Sequence, residues 1–529
     1  MTFTLHGPLR PMTGVERAGL AIALLLAAAL MWPLRHSLTD DTFIQLQYAR
    51  NLAGGNGLVF NPGERVYGCT SPLWVALIAD GMALGFEGLR VARVLGFLAT
   101  LWSVALFLQL VRRNLRTPAL CAVATVAWAG HAWMLRWSTS GLETPLAVAL
   151  VLAGFVAFTE GQQWGTRPVR TGALWALAAL TRPEAALLLG LWGVFLLVDT
   201  DSRPGLRRLV FGALPPLVIY GGWLLFASLY FGSVLPQTLM AKAVGPAGFD
   251  VQLQNLWRQV RIVGATDGLM AALLVLALLA GGARVWTWRP LTQRAQRLLP
   301  WVWLVLVPAL YVGRGVPVLS RYLLPLLPVL SWLGWRAGEC WSLGTSPTPR
   351  AVRRTTVLGT ALAALMLLQN LAVYHGAVLP QVRSFSAGLQ GSLVPWGRWL
   401  RENTPERSVI ATPDIGALGY FSRRRVVDLA GLVTPQMMPY LEREAIEDAT
   451  ANFRFAAFAH PDYIADRGPR PDDLRQRSRF APALTLLGVS SVPNLGIARP
   501  GRVFYSLYRV DWAVADSLGA PGRAEGPTR

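Results

Sequence analysis

The chain has 529 residues, of which 53% are hydrophobic and only 15% are charged, and it contains 21 tryptophans. This composition is typical of a multi-pass membrane protein and excludes a chain made only of soluble domains. The formal net charge is +20, and nearly all of the cations are arginines scattered between apolar runs. Because they form no single basic face, nucleic acid is not an expected partner, and the basic loops instead indicate the cytoplasmic side of a membrane.

Apolar runs of about 20 residues, the length that crosses a bilayer, predict about eleven transmembrane helices with a cytoplasmic N-terminus. The predicted spans are residues 17–34, 90–111, 118–135, 143–158, 171–181, 185–198, 209–231, 262–282, 298–312, 321–337 and 355–374. Residues 72–86 are apolar but short, and a full span there would place the arginines at 112–116 outside. We therefore expect that segment to be half-embedded in the membrane.

After about residue 378 the hydrophobic runs shorten, and acidic residues and prolines become more frequent. The predicted strands are 408–413, 425–431, 462–466 and 503–510, and the predicted helices are 392–403 and 436–449. The chain is thus predicted to be an α-helical polytopic protein, residues 1–378, with a soluble extracytoplasmic α/β domain, residues 379–515, and a disordered tail, residues 516–529. Asp414 and Asp428 lie at the ends of predicted neighbouring strands, where ligands often bind.

The loop at 35–90, which follows the first span, contains DDTFIQLQYARNLAGGNGLVFNPGERVYGCTSPLW at 40–74. It begins with Asp40 and Asp41, next to a membrane, where ionisable groups are costly unless they face water, a partner or a substrate. From the residues alone, two interpretations remain. The carboxylates could cap the helix that follows, or one of them could accept a hydroxyl proton in catalysis.

Charged residues at the predicted outer ends of the spans are further candidates. Glu143 and Glu184 could orient a substrate, or they could be ordinary acidic residues at helix starts. Arg182 is either the ion-pair partner of Glu184 or a clamp for a phosphate. Lys242 is the only lysine in the chain, and a compact ammonium suits a phosphate. Arg321 could bind the same phosphate, or its side chain could extend toward the membrane surface.

The 40–74 stretch resembles the first outer loop of the GT-C superfamily of membrane glycosyltransferases, and within it the mycobacterial terminal arabinofuranosyltransferase branch. Further segments agree in order: STSGLETPL at 138–146, LTRPEA at 180–185, YFGSVLPQTLMAK at 230–242, RYLLPLLP at 321–328 and PDIGALGYFSRRRVVDLAGLV at 413–433. The resemblance implies transfer of a sugar, arabinofuranose in that branch, from a polyprenyl-phosphate donor to a cell-envelope glycan or lipid-linked acceptor. It places the reaction at the outer face of the bacterial inner membrane, with Asp40 or Asp41 as the catalytic carboxylate.

The resemblance also suggests roles for the other candidates. Lys242, Arg182 and Arg321 are assigned to the donor phosphate, and Glu143, Glu184, Glu64 and Tyr48 to substrate orientation. Because cations can hold the phosphate, no cofactor is expected to be required, and a divalent cation on the aspartate pair is not favoured. His36 and His131 are isolated in the sequence, so a histidine-based metal site is not expected. The alternative function is a lipid or solute transporter. A transporter would have polar or charged residues within its spans near the midplane of the membrane, and its two halves would be related by an internal repeat.

Overall fold

The computed structural model describes residues 10–160, 167–198, 206–237, 248–286, 295–343, 348–493 and 501–522. The chain divides into two compact units, each assembled from separate stretches. The helical unit comprises Met1–His36, Ala92–Phe226 and Pro246–Pro380, and the mixed unit comprises Ser37–Val91, Ala227–Gly245 and Gln381–Arg529. The loop at 35–90, which follows the first span, therefore lies almost entirely in the same unit as the C-terminal residues.

Helices account for nearly all of the regular structure in the helical unit. Its α-helices are Gly14–Met31, Pro118–Ala129, Ala132–Ser138, Thr144–Phe158, Pro168–Ala179, Pro183–Val198, Leu206–Pro216, Phe249–Trp286, Ala295–Gly313, Ser320–Leu323, Leu327–Leu343 and Pro349–Val373. Among the described residues, three further helices run across a boundary between the units: Gly88–Asn114, Gly222–Phe231 and Leu379–Gln390. Indole and phenyl rings fill part of the interior: Phe155 lies 5.1 Å from Trp175 and 6.0 Å from both Trp303 and Trp332, measured between ring centroids.

Within the described residues, five helical stretches are long and apolar enough to cross a membrane: 14–34, 88–114, 209–231, 249–279 and 349–403. The pair Pro118–Ala129 and Ala132–Ser138, bent by 52°, adds a sixth if it counts as one span. The chain is thus a multi-pass membrane protein, as predicted. The count of eleven spans stays a prediction, because several apolar helices, such as Thr144–Phe158 and Pro183–Val198, are shorter than 18 residues.

Several predicted spans differ from the observed helices. The predicted span at 118–135 is broken at Gly130, and the predicted span at 321–337 is interrupted after Leu323, where prolines at 325 and 328 remove backbone donors. The segment that we expected to be half-embedded forms a helix, Pro72–Ala83.

The C-terminal part of the mixed unit contains a five-stranded sheet of order β2-β1-β3-β5-β4. The strands are β1 Val409–Thr412, β2 Arg425–Asp428, β3 Tyr463–Gly468, β4 Leu484–Pro493 and β5 Arg502–Val510. β1 pairs in parallel with β2 and β3, whereas β5 pairs antiparallel with β3 and β4. The α/β character of this region is confirmed, and four of its strands lie where the sequence predicts them.

Two features of this region were not predicted correctly. β4 was missed, because its stretch TLLGVSSVP contains glycine, serines and a proline that weaken the strand signal. The predicted helix at 436–449 is wrong: Pro435–Met437 is a 3-10 turn, and two short helices follow at Met438–Leu441 and Ile446–Ala451. The predicted helix at 392–403 is present as Leu393–Asn403. A last helix, Trp512–Ser517, extends into the start of the predicted tail.

The 35–90 loop folds onto the free edge of β2. It contains the helices Asp40–Ala53 and Pro72–Ala83. Between them, the side chain of Asn61 pairs with the backbone of Val426: its amide donates to the carbonyl at 2.8 Å, and its oxygen accepts from the N–H at 3.0 Å. A side-chain amide thus takes the place of a neighbouring strand and satisfies an edge that would otherwise lack partners.

Replacing Asn61 by alanine should leave the buried N–H and C=O of Val426 without partners, at a cost of about 1–3 kcal/mol. We expect faster hydrogen exchange at the amide of Val426 and a lower melting temperature. Asn56, an exposed asparagine of the same loop, supplies the control, and Asn56→Ala should change neither quantity. Unchanged exchange in Asn61→Ala would contradict this account of the edge.

Candidate functional site

The Asp40 carboxylate is held by backbone amides from the C-terminal part of the mixed unit. Its Oδ2 accepts from the N–H of Gly416 at 3.1 Å, and its Oδ1 accepts from the N–H of Ala417 at 2.8 Å. Asp40 begins the helix Asp40–Ala53 but caps the start of another helix, Gly416–Ser422. A side chain on Gly416 would collide with the backbone oxygen of Asp40, so only glycine permits this approach.

The surroundings of Asp40 make its carboxyl group a weaker acid than an ordinary aspartate. Burial raises its pKa from 3.8 to about 7, and the neighbouring charges of Asp414 and Asp41 act in the same direction. The two backbone hydrogen bonds act in the opposite direction, because they stabilise the ionised form. A carboxyl group with a pKa near neutrality can exchange a proton at physiological pH, which is what a general base requires.

Asp414, two residues before Gly416, is fixed by two side chains from the sheet. The Arg467 Nη1 donates to both carboxylate oxygens, at 2.6 and 2.7 Å, and the Tyr505 hydroxyl donates to Oδ2 at 2.6 Å. Arg467 lies on β3 and Tyr505 on β5, directly opposite each other in the antiparallel register. The sequence analysis missed both residues, since nothing local to either one indicates which carboxylate it binds.

Asp428, the other strand-end carboxylate, has a structural role. Its Oδ1 accepts from the N–H of Ala430 at 2.8 Å, and its Oδ2 accepts from the N–H of Val433 at 2.9 Å. These bonds close the turn after β2. Burial raises the pKa of Asp428 to about 6, although these backbone bonds oppose the change.

Tyr48 and Glu64, which we assigned to substrate orientation, have partners within the mixed unit. The Tyr48 hydroxyl donates to the carbonyl of Val66 at 3.1 Å and accepts from the N–H of Gly68 at 3.2 Å. Glu64 accepts from the Nε of Arg425 at 2.7 Å and from the Asn61 amide at 2.9 Å. Both side chains therefore stabilise the loop, and their orienting roles stay predictions.

In the helical unit, Arg182 lies between the two predicted glutamates. Its Nε and Nη2 donate to Glu184 at 3.1 and 2.8 Å, and its Nη1 donates to Glu143 at 3.0 Å. The Tyr311 hydroxyl also contacts Glu184. Of the two interpretations of Arg182, the structure shows the ion pair. Because two carboxylates surround a single guanidinium, the negative charge of the cluster exceeds its positive charge. This geometry argues against the assignment of Arg182 to a phosphate.

Arg321 occurs in a different setting, beside a second arginine. The guanidinium carbons of Arg321 and Arg136 lie 5.5 and 5.0 Å from the centroid of the Trp137 ring. The Trp137 indole donates to the Ser320 hydroxyl at 3.0 Å, which joins the two chain segments. Two guanidinium groups against one ring suit an anion better than the Arg182 cluster does. Lys242 lies outside the described residues.

His131, although isolated in the sequence, has a carboxylate partner in the structure. Its Nε2 lies 2.8 Å from the Oδ2 of Asp267, and its Nδ1 accepts from the N–H of Met134 at 3.3 Å. Both ring nitrogens are therefore engaged. Among the residues that the structure describes, no group of three or more His, Cys, Asp or Glu side chains could hold a metal ion. The oxygens of Asp40 and Asp414 accept hydrogen bonds from N–H or O–H donors, and the expectation that no divalent cation is needed on the Asp40 and Asp41 pair stays a prediction.

The chain is similar to known proteins in both sequence and structure. Residues 382–519 match a family model described as a domain of unknown function, DUF8728. A terminal beta-(1->2)-arabinofuranosyltransferase of Corynebacterium glutamicum is 28% identical over 290 residues, 48% of this chain and 39% of that protein. The enzyme of that name from Mycobacterium tuberculosis is 32% identical over 233 residues, 39% of this chain and 35% of that protein. The matches thus span well under half the length of these relatives.

Solved structures decide the fold. ArnT from Cupriavidus metallidurans in the apo state superposes with a TM-score of 0.60 at 15% identity, over 96% of this chain and 98% of that one. The same protein bound to undecaprenyl phosphate gives 0.57, over 94% and 98%. Arabinofuranosyltransferase AftD from mycobacteria gives 0.52 at 17% identity, over 94% of this chain and 42% of that one. The chain has the GT-C fold.

The GT-C fold predicted from the loop motif is thus confirmed, whereas the individual site residues stay predictions. The loop motif located Asp40 because its signal is local. Arg467, Tyr505 and Arg136 were missed because their roles depend on contacts distant in sequence. β5 is buried without interruption from Tyr505 to Tyr508, so its largely apolar stretch could have marked Tyr505 as buried, but not its partner.

The buried Arg182 cluster should matter more for stability than an exposed ion pair of the same unit. Arg182→Met leaves two carboxylates without their cation, and we expect about 3–5 kcal/mol of destabilisation. Arg170→Met removes the exposed pair with Glu160, where Arg170 is 66% exposed, and should cost no more than about 1 kcal/mol. Thermal unfolding in detergent compares the two, and equal melting temperatures would contradict the assignment.

Proposed function

We propose that the chain is a GT-C glycosyltransferase that transfers a sugar from a polyprenyl-phosphate donor to a cell-envelope glycan or lipid-linked acceptor. By similarity to its relatives the sugar is arabinofuranose. The reaction takes place at the outer face of the bacterial inner membrane, with the N-terminus in the cytoplasm. The observation that carries the proposal is Asp40, an oriented carboxylate of raised pKa in the loop whose motif resembles the superfamily.

The names of similar proteins support the two substrates. The curated relatives are terminal arabinofuranosyltransferases, and ArnT, which shares the fold, has been solved with undecaprenyl phosphate. A polyprenyl phosphate as the carrier agrees with a protein whose helices lie in a membrane. The transporter alternative predicts charges within the spans, and the pair of His131 and Asp267 is one such feature. The similar curated proteins, however, are transferases by name.

In this mechanism the Asp40 carboxylate accepts the proton of the acceptor hydroxyl. The acceptor oxygen then forms a bond to the anomeric carbon, and the bond from that carbon to the phosphate oxygen breaks, with its electron pair leaving on the phosphate. Cations stabilise the negative charge that the phosphate gains. Arg321 and Lys242 are our candidates for that role, and Arg136 joins them because it shares the Trp137 ring with Arg321.

Asp40 should be needed in its ionised form. Because its pKa is about 7, kcat/KM should rise with pH through about 7 and level off above it. Asp40→Asn should lower kcat by roughly 10²- to 10⁴-fold, the usual contribution of a general base, and Asp41→Asn should have a smaller effect. The assay uses a synthetic polyprenyl-phosphate arabinose. Asp80→Asn, an exposed carboxylate of the same loop, is the control; full turnover in Asp40→Asn would remove the assignment.

Lys242→Ala should lower turnover by roughly 10- to 1000-fold, since a preorganised cation beside the leaving phosphate is lost. Lys242→Arg should restore only part of the activity, because the guanidinium fork differs in shape from an ammonium. Arg353→Ala, which removes an exposed arginine from a predicted cytoplasmic end, should leave turnover unchanged. Wild-type rates in Lys242→Ala, with normal membrane insertion, would refute the role of Lys242.

A further inference from the structure

Three side chains of the C-terminal domain hold the short segment that touches Asp40. Asp414 is bound by Arg467 and Tyr505 through three contacts of 2.6–2.7 Å. Tyr505 is fully buried, and the Arg467 side chain is only 13% exposed. Because such charge-assisted bonds are short and directional, they fix the position at which the chain leaves β1.

The segment cannot move without moving the carboxylate of Asp40. Gly416 follows Asp414 by two residues, and its Cα lies so close to Asp40 that no side chain fits between them. The amides of Gly416 and Ala417 each donate to a different oxygen of Asp40. The orientation of the carboxylate plane is therefore set by the position of this segment.

The same contacts also determine the electrostatic environment of Asp40. The groups that act on Asp40 are Asp41, from its own helix, and Asp414, from the segment after β1. Arg467 offsets the charge of Asp414. Burial raises the pKa of Tyr505, as do the carboxylates of Asp414 and Asp40, so Tyr505 remains a hydroxyl donor.

We propose that Asp414, Arg467 and Tyr505 are positioning residues, which orient Asp40 through the amides of Gly416 and Ala417 and set its affinity for a proton. The inference rests on the proposed function, because it concerns the same carboxylate. It makes the C-terminal domain a part of the catalytic machinery. The sequence alone indicated only that a ligand could bind at the ends of neighbouring strands of this domain.

Two substitutions of opposite charge should shift the pH profile in opposite directions. Asp414→Asn removes a negative charge, so the midpoint of the kcat/KM profile should fall by about one pH unit. Arg467→Gln leaves the charge of Asp414 unbalanced, so the midpoint should rise by a similar amount. Arg477→Gln, which breaks the comparable pair with Asp466 at 3.0 Å, should leave the midpoint unchanged. Shifts in one direction only, or none, would overturn the electrostatic part of the proposal.

A conservative pair of variants tests the positioning. Tyr505→Phe removes one hydroxyl from Asp414 and should lower kcat by about 10-fold with little change in KM, the effect of one lost hydrogen bond. Tyr508 lies on the same strand as Tyr505, and its hydroxyl donates to Asp472 at 2.9 Å. Tyr508→Phe removes that hydroxyl and should leave kcat unchanged. Equal kcat values for the two variants would count against the role of Tyr505.

Hydrogen exchange separates this inference from the proposed function. In the full-length protein in nanodiscs, Asp40→Ala and Tyr505→Phe should each speed exchange at the amides of Gly416 and Ala417 by about 10-fold or more, and Tyr508→Phe should not. If the wild-type protein transfers no sugar but these amides respond, the proposed function fails and the positioning contact stands. If the amides do not respond to either substitution, the positioning contact is refuted whatever the activity.

Discussion

The two hydrogen bonds from Gly416 and Ala417 to Asp40 join residues 376 and 377 positions apart in the sequence. Bonds to a charged acceptor contribute about 1.5–3 kcal/mol each. They must offset the loss of solvation of a carboxylate that also faces Asp414. The mixed unit depends in part on this balance, because the contact is one of those that join the 35–90 loop to the C-terminal domain.

Asn61 makes the same junction at a second point, on the edge of β2. One contact orients a charged group, and the other satisfies a strand edge. Both connect a side chain of the 35–90 loop with backbone groups of the C-terminal domain, and backbone groups are available in any sequence. These two contacts therefore constrain few residue types: Asp40, Asn61 and the glycine at 416, whose Cα has no room for a side chain.

What could be predicted from the sequence follows from the range of the interactions. The strands β1, β2, β3 and β5 follow from local patterns of apolar residues, and the GT-C fold follows from a motif within 35 consecutive residues. The choice between ion pair and phosphate clamp for Arg182 could not be made, because Glu143 lies 39 positions away. The partner of His131 lies 136 positions away. Long-range pairs of this kind depend on how helices pack, which composition and spacing do not specify.

The raised pKa of Asp40 also has a consequence for stability. In an unfolded chain an aspartate ionises near its ordinary value of 3.8, whereas in the folded protein Asp40 ionises near 7. The folded state therefore binds the proton more tightly, and the contribution of Asp40 to stability decreases as the pH rises from about 4 to about 7. The ionised form, which the proposed mechanism requires, is thus the form that the fold stabilises least. The amides of Gly416 and Ala417 oppose this loss, since they favour the ionised carboxylate. In our proposal the contacts of Arg467 and Tyr505 with Asp414 hold these two amides in place, so that both donors stay directed at the carboxylate oxygens as the pH changes.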